Sequence, residues 1–342
     1  MKFKQLGQSG LLVSDLCLGT MIFGEDSPRG TSAVDAEKMI HHYLEAGGNH
    51  LDTADVYAGG RSEEIVGQAL KSAQRDQIVL ASKVRFSTGE GHNDAGLSRH
   101  HLIEGVHASL RRLQTDYLDL YYVHCWDPLT PLEESLRTLD DLVRAGKVRY
   151  VGVSNFKAWQ VMKALSISDA HSWVRFVAGQ YQYSLIKRDI EYEFLDLCQS
   201  EGVGLTPWGP LGGGFLSGKY QRGQRPMNAS EGRIATTADD TEESWARRDL
   251  ERNWDIIDAV GEIAEARGGT YSQIALAWVR AQPAVSSVII GVRTMAQLED
   301  NLQAAEIDLT TEELTQLNQV SRMPELYPYR FLENYGPRSP DS

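Results

Sequence analysis

The chain has 342 residues, 42% hydrophobic and 24% charged, with a formal net charge of −13. That length allows a sizeable core, as two domains or as one α/β barrel, and the acidic balance without a Lys/Arg cluster argues against a nucleic-acid binder. Cys17, Cys125 and Cys198 are far apart and odd in number, with no disulfide framework, MKFKQLGQSG lacks an apolar leader core, and no apolar run nears the roughly 18 residues of a membrane helix, so a soluble cytoplasmic protein in a reducing compartment is expected.

Residues 2–13 read as a hairpin turning at 7–10, a cap over one end of the fold. Eight short apolar runs follow, at Leu16–Gly19, His50–Asp52, 78–83, 117–124, 150–154, Phe176–Gln180, 203–208 and Val288–Gly291. Most lie about thirty residues apart, the repeat of a βα unit, which predicts a (β/α)8 TIM barrel spanning 1–342 as a single domain.

Helical periodicity fills the gaps. Leu102, Val106 and Leu110 share a face, as do Leu132, Leu136, Leu139 and Val143, with Gly146 placed to end that helix. Ile256, Val260, Ile263 and Arg267 continue the pattern until Gly268 and Gly269 stop it. Thr310 with Glu313 reads as a capping box, flanked by Leu309 and Leu314 as a hydrophobic staple. The segment 217–252, after the seventh run, is polar and long. It reads as a mobile flap loop over a site, since long connections in compact barrels are functional or disordered. The C-terminal tail 323–342 carries four aromatics from Tyr327 before turning polar, and reads as a segment that wraps the active face or meets a neighbouring subunit.

A barrel of this kind gathers its chemistry at the carboxyl ends of its strands. The second run ends at Asp52, with Tyr57 just beyond; the third ends at Lys83; the fourth ends at His124. A lysine among apolar strands is costly unless paired, and Asp52 is its partner. A phenol with a reference pKa near 10 is a poor proton donor at neutral pH, and an adjacent ammonium lowers that value. Lys83 held charged by Asp52 would act so on Tyr57, and His124 would orient a substrate oxygen. The set suits general acid/base work at a carbonyl or alcohol carbon. No Ser or Cys is placed with a base for nucleophilic hydrolysis.

From LGQSGLLVSDLCLGTM to GVRTMAQLEDN, through LDTADVY, LASKV and LDLYYVH, the sequence resembles the aldo-keto reductases, in particular bacterial-type branches with a GxR cofactor-phosphate motif. The resemblance implies a catalytic tetrad of Tyr57, Asp52, Lys83 and His124, with Tyr57 the proton donor in reduction and hydride from the nicotinamide C4. It implies carboxamide contacts from Ser154 and Asn155 in GVSNF and Gln180 in AGQYQYS, with Trp208 stacking on nicotinamide. Gly209, Leu211 and Gly213 fall in a loop whose backbone faces the pyrophosphate, where glycine admits close approach. Gly19, Thr20, Met21 and Asp52 border the cofactor. Gly291, Arg293, Gln297, Asp300 and Asn301 match the adenosine-phosphate site. Some branches carry Lys where Gly291 stands, so Arg293 must supply that charge. NADP(H) is preferred, with NAD(H) the alternative. Ile22, Phe23 and Trp126 are the candidate substrate walls.

GGFLSGK at residues 213–219 mimics a P-loop, but Tyr220 follows where Ser or Thr is needed for Mg²⁺. No metal is expected: His41–His42 and His100–His101 are adjacent pairs without ligand spacing, expected to face solvent. The expected function is reversible reduction of an aldehyde or ketone to an alcohol, with a small-molecule substrate, no nucleic-acid or membrane partner, and homo-oligomerisation open. An NAD-dependent sugar or alcohol dehydrogenase, and a non-catalytic redox-sensing regulatory subunit on the same fold, are the alternatives.

Overall fold

Side chains of a strand alternate between its two faces, so runs such as VLASKV and LDLYYV must be covered on both. In the computed structural model, which describes residues 1–228, 232–241 and 243–335, this is met by a (β/α)8 barrel. A hairpin of β1 (Phe3–Gln5) and β2 (Leu12–Ser14) opens the chain. The barrel strands are β3 (Leu16–Gly19), β4 (His50–Asp52), β5 (Val79–Val84), β6 (Leu118–Val123), β7 (Val148–Ser154), β8 (Phe176–Gln180), β9 (Gly204–Leu205) and β10 (Val288–Gly291). All neighbours are parallel, in the order β10-β3-β4-β5-β6-β7-β8-β9. The ends join through a bridge from Leu205 to Val285 and through the Ser286 and Ile289 amides, which donate to Leu205 and Pro207 carbonyls at 2.8 and 2.9 Å.

Four strands have the bounds expected from sequence. β9 is shorter than its apolar run because Pro207 has no amide to donate and interrupts the ladder, which resumes as a bridge between Trp208 and Gln182. The helices outside the ring are α1 (Ala33–Glu45), α2 (Arg61–Leu70), α3 (Arg99–Leu113), α4 (Leu132–Arg144), α5 (Ala158–His171), α6 (Phe194–Glu201), α7 (Trp245–Arg248), α8 (Glu251–Arg267), α9 (Tyr271–Arg280), α10 (Met295–Gln303), α11 (Thr311–Val320) and α12 (Tyr329–Tyr335). Leu102, Val106 and Leu110 are buried under α3, and Leu132, Leu136 and Leu139 under α4. Thr310 caps α11 with Glu313 reciprocally, while Leu309 and Leu314 pack on the core. Of the histidines expected at the surface, His101 is instead buried where α3 meets the barrel.

The core has two layers. The larger lies between strands and helices; the smaller fills the barrel with Val79, Ala81, Leu120, Tyr122 and Ala178, and is closed by Leu6 and Val13 from the hairpin. Period-2 alternation then decides what reaches the opposite mouth: Val79, Ala81 and Lys83 share the inward face of β5, whereas Leu80 and Val84 face the helices.

Segment 217–252 is less irregular than its polar composition suggests. It contains α7 and the start of α8, and Tyr220, Ile234 and Trp245 are buried. Trp245 lies 6.0 Å from Phe215, 5.9 Å from Tyr220 and 6.2 Å from Trp254 between ring centroids, so a few aromatics anchor many polar neighbours. In the tail, Tyr329 stacks on Tyr192 at 5.0 Å and donates to Glu193 at 2.9 Å; the tail beyond 335 lies outside the described residues. No described helix is long and apolar enough to cross a membrane.

Candidate active site

Four strand ends converge at the mouth opposite the hairpin. Lys83 ends the inward row of β5 with no solvent exposure. Its ammonium donates to Asp52 Oδ2 at 2.6 Å, to the Thr53 carbonyl at 2.9 Å and to the Tyr57 hydroxyl at 3.0 Å. Burial alone would push that ammonium down, but Asp52 and Tyr57 outweigh it and hold its pKa above the ordinary lysine value. Asp52 is also held from the other side: Gln180 Nε2 donates to Oδ1 at 2.8 Å. Tyr57 enters from a 3₁₀ turn (Tyr57–Gly60) just past β4, so its phenol folds back over the strand end.

His124 follows β6, its amide bonded to the Val84 carbonyl at 2.9 Å. Its ring stands edge-on to Tyr57, with centroids 6.0 Å apart. Burial first, then the charge of Lys83, push its pKa down to about 2, so the imidazole is neutral. Nδ1 is buried without a hydrogen-bond partner. A buried polar atom left unpaired is costly, and this one belongs to the ring that meets Tyr57 edge-on.

The remaining residues ring the same mouth. Ser154 donates to the Gln180 carbonyl at 2.7 Å, and Asn155, exposed in a left-handed conformation, donates to the His124 carbonyl at 2.9 Å. Thr20 is fully buried against Asp52, its hydroxyl 2.8 Å from Ser62 Oγ, whereas Met21 is half-buried beside it. Gly19 pairs with Asp52 across β3 and β4, and with Gly291 at the end of β10. Trp208 is half-buried beyond β9. Leu211 shapes the loop after it, and Gly213 has φ 72, a left-handed value that an L side chain would strain to adopt. Ile234 and Glu243 of segment 217–252 lie against that glycine, so the segment folds over the loop.

Arg293 leans toward the Pro28 carbonyl. Gln297 is committed to capping α10, taking the Arg293 amide at 2.8 Å, and Asp300 accepts from Thr270 and Gln273 at the start of α9. Asn301 is buried on α10. Several residues with bearing on the site escaped the sequence reading, among them Lys219, Phe86 and Trp159. Lys219 places its ammonium beside Gly214 and Gly232, close enough to Arg293 that burial and that charge both lower its pKa. Its signal was the P-loop-like GGFLSGK, where the motif fails but the cation is real.

Phe86, two residues past β5, is another; it meets His124 edge-on at 4.8 Å. With Trp126, edge-on to Phe156 at 5.0 Å, and the exposed Trp159 6.3 Å from Trp126, it makes an aromatic rim. Ile22 is half-buried nearby in sequence to β3, but Phe23 is fully buried in the outer core and presents no surface to a substrate. Among the described residues, no three His, Cys, Asp or Glu side chains converge as a metal site.

A family model for the aldo/keto reductase family matches residues 15–322. A probable voltage-gated potassium channel subunit beta of Arabidopsis thaliana is 37% identical, covering 96% of this chain and 100% of the relative. An uncharacterized oxidoreductase of Bacillus subtilis (strain 168), YrpG, is also 37% identical, over 96% of this chain and 99% of its own length. Versiconal hemiacetal acetate reductase of Aspergillus parasiticus is 35% identical, over 94% and 98%. With a match running from β3 through α11 and relatives aligned over nearly their full length, the chain belongs to the aldo/keto reductase family.

Proposed function

We propose that the protein is an NADP(H)-dependent carbonyl reductase that turns an aldehyde or ketone into an alcohol reversibly. The observation behind this is the fully buried Lys83 ammonium held between Asp52 at 2.6 Å and Tyr57 at 3.0 Å. Tyr57 gives its phenolic proton to the carbonyl oxygen, and Lys83 stabilises the phenolate left behind. Asp52, itself fixed by Gln180, keeps Lys83 charged and aimed. Neutral His124 offers a hydrogen bond that orients the carbonyl. Bound reduced dinucleotide supplies the hydride to the carbonyl carbon.

The residues present suit that cofactor. Ser154, Asn155 and Gln180 offer amide and hydroxyl groups for a carboxamide, and Trp208 offers a stacking face. The left-handed glycines after Trp208 let backbone amides approach a pyrophosphate. Arg293 and Lys219 together favour a dinucleotide carrying an extra phosphate. Segment 217–252, lying on Gly213, acts as the flap over this groove. The rim of Phe86, Trp126 and Trp159 favours an apolar, ring-bearing carbonyl substrate.

Tyr57→Phe tests the acid: turnover of an aromatic aldehyde, followed by loss of reduced-dinucleotide absorbance, falls by roughly 10²–10⁴-fold while dinucleotide binding persists. Near-normal turnover in the variant refutes the assignment. A second reading, a redox-sensing regulatory subunit, is favoured by the name of the Arabidopsis relative; tight cofactor binding with negligible turnover across a panel of aldehydes would select it.

A further inference from the structure

Three residues past Asp52 the chain buries another carboxyl. Asp55 is 3% exposed, and among the described residues no side chain hydrogen-bonds its carboxyl, although the Val56 amide lies near enough to favour its charged form. Its amide reaches the Lys83 carbonyl at 3.4 Å, which ties it to the strand that carries the ammonium. Four titratable groups face it. From α2 comes Glu63, fully buried, accepting Ser82 Oγ at 2.5 Å and Arg112 Nε at 2.7 Å. From α3 comes Arg112, whose Nη2 also lies 2.6 Å from Glu63. From β5 comes Lys83, already engaged by Asp52 and Tyr57. From β6 comes the buried hydroxyl of Tyr121, whose pKa burial and the charges of Asp55 and Glu63 push up. Glu63 therefore holds the one guanidinium in the cluster, and Asp55 feels it only as a nearby charge. Burial, then Glu63, push Asp55 up to about 7.

Arg112 connects this cluster to the tyrosine. Its side chain lies against Gly60, so closely that a Cβ there would come within 2.9 Å of Arg112 Cδ, and Gly60 closes the turn that begins at Tyr57.

We propose that Asp55 is a positioning residue that keeps the Tyr57 turn seated only while it carries a proton. Ionised, it competes with Glu63 for Arg112, withdraws that side chain from Gly60, and moves the phenol off Lys83. It acts through Tyr57 and touches no reacting atom.

The activity readout rests on the reductase reading; the stability readout does not. With full-length protein, reduced dinucleotide and benzaldehyde as the probe, the wild-type kcat falls through a step centred near pH 7. The dinucleotide KM changes less than about twofold across it, because the loss is in chemistry and not in docking. In Asp55→Asn, neutral at every pH, the step disappears. A step that survives in Asp55→Asn overturns the proposal. In thermal unfolding, a folded pKa above the model value of 3.8 means that wild-type stability is present at low pH and is lost as pH rises toward 7, so its Tm falls relative to Asp55→Asn over that window. Parallel Tm–pH curves overturn the proposal even if no carbonyl is turned over. Should Asp55→Asn not fold, the infrared stretch of a protonated carboxyl in the wild type decides: it titrates near pH 7, and its absence in mildly acid buffer refutes the idea.

Discussion

Lys83→Met replaces the buried ammonium with an apolar side chain of similar reach. In the native protein that ammonium has no solvent exposure and donates to Asp52, Thr53 and Tyr57 within 3.0 Å. Deleting one member of a buried pair strands the other, at a cost of about 3–5 kcal/mol, whereas deleting both together is often close to neutral. Asp52, 3% exposed, would be left with the Gln180 amide on Oδ1 and an ionised oxygen facing a methyl group. The single variant is therefore expected to lose about 3–5 kcal/mol of unfolding free energy, and Asp52→Asn/Lys83→Met to regain much of that loss. Urea denaturation at neutral pH, followed by tryptophan fluorescence and compared at equal slope, gives both numbers. Turnover stays low in both proteins, because the double variant restores packing and not the charge beside the phenol. If Lys83→Met costs less than about 1 kcal/mol, the pair behaves like a solvated surface bridge and the account of a dry, preorganised ammonium is wrong.

Arg293→Ala combined with Lys219→Ala should raise the KM for the phosphorylated dinucleotide by roughly 10–100-fold per lost charge-assisted bond and leave that for NAD(H) nearly unchanged; equal effects on both would remove the 2′-phosphate assignment. Trp159→Ala should lower kcat/KM for an aromatic aldehyde by about 2–10-fold relative to a short aliphatic one, the scale of one aromatic contact, and an unchanged ratio would take Trp159 out of the rim. His50, fully buried inside the barrel with Nδ1 3.0 Å from Ser287 Oγ, has its pKa pushed down from 6.5 to about 4 by burial. A depressed folded value contributes stability that is present above pH 6.5 and lost as pH falls toward 4, about 3 kcal/mol in all. His50→Asn should remove that acid-side loss in urea midpoints measured against pH, and identical slopes in both proteins would refute it. Asp55 titrates with opposite sign over much of the same window, so the comparison is between variant and wild type at each pH.

The strand ends were legible because a buried strand has few ways to end in a charge. Lys83 stands out in VLASKV since an ammonium at an inward position needs a carboxylate, and the pairing of neighbouring strands brings Asp52 within reach. Phe86 was not legible, because its direction depends on a loop path that periodicity does not encode, and neither was Trp159, an exposed residue on the first turn of α5 with no strand end to mark it. Phe23 went the other way: it follows β3 as a rim residue would, but its loop turns it into the outer core. The order within segment 217–252 was not legible because residue counts weigh each side chain equally, whereas a few buried side chains such as Tyr220, Ile234 and Trp245 anchor it. Asp55 carried no sequence signal; only the placement of Glu63 and Arg112, on two separate helices, sets it apart.

Leu6 and Val13 stopper one mouth of the packed barrel, which leaves the candidate site open at the other mouth alone. If cofactor and carbonyl bind as proposed, both would use the one open mouth, and whichever lodges deeper would arrive first and depart last. Departure of the deeper guest would set a ceiling on throughput that no faster proton transfer could lift, and changes to segment 217–252, remote from the phenol, are where that ceiling would shift.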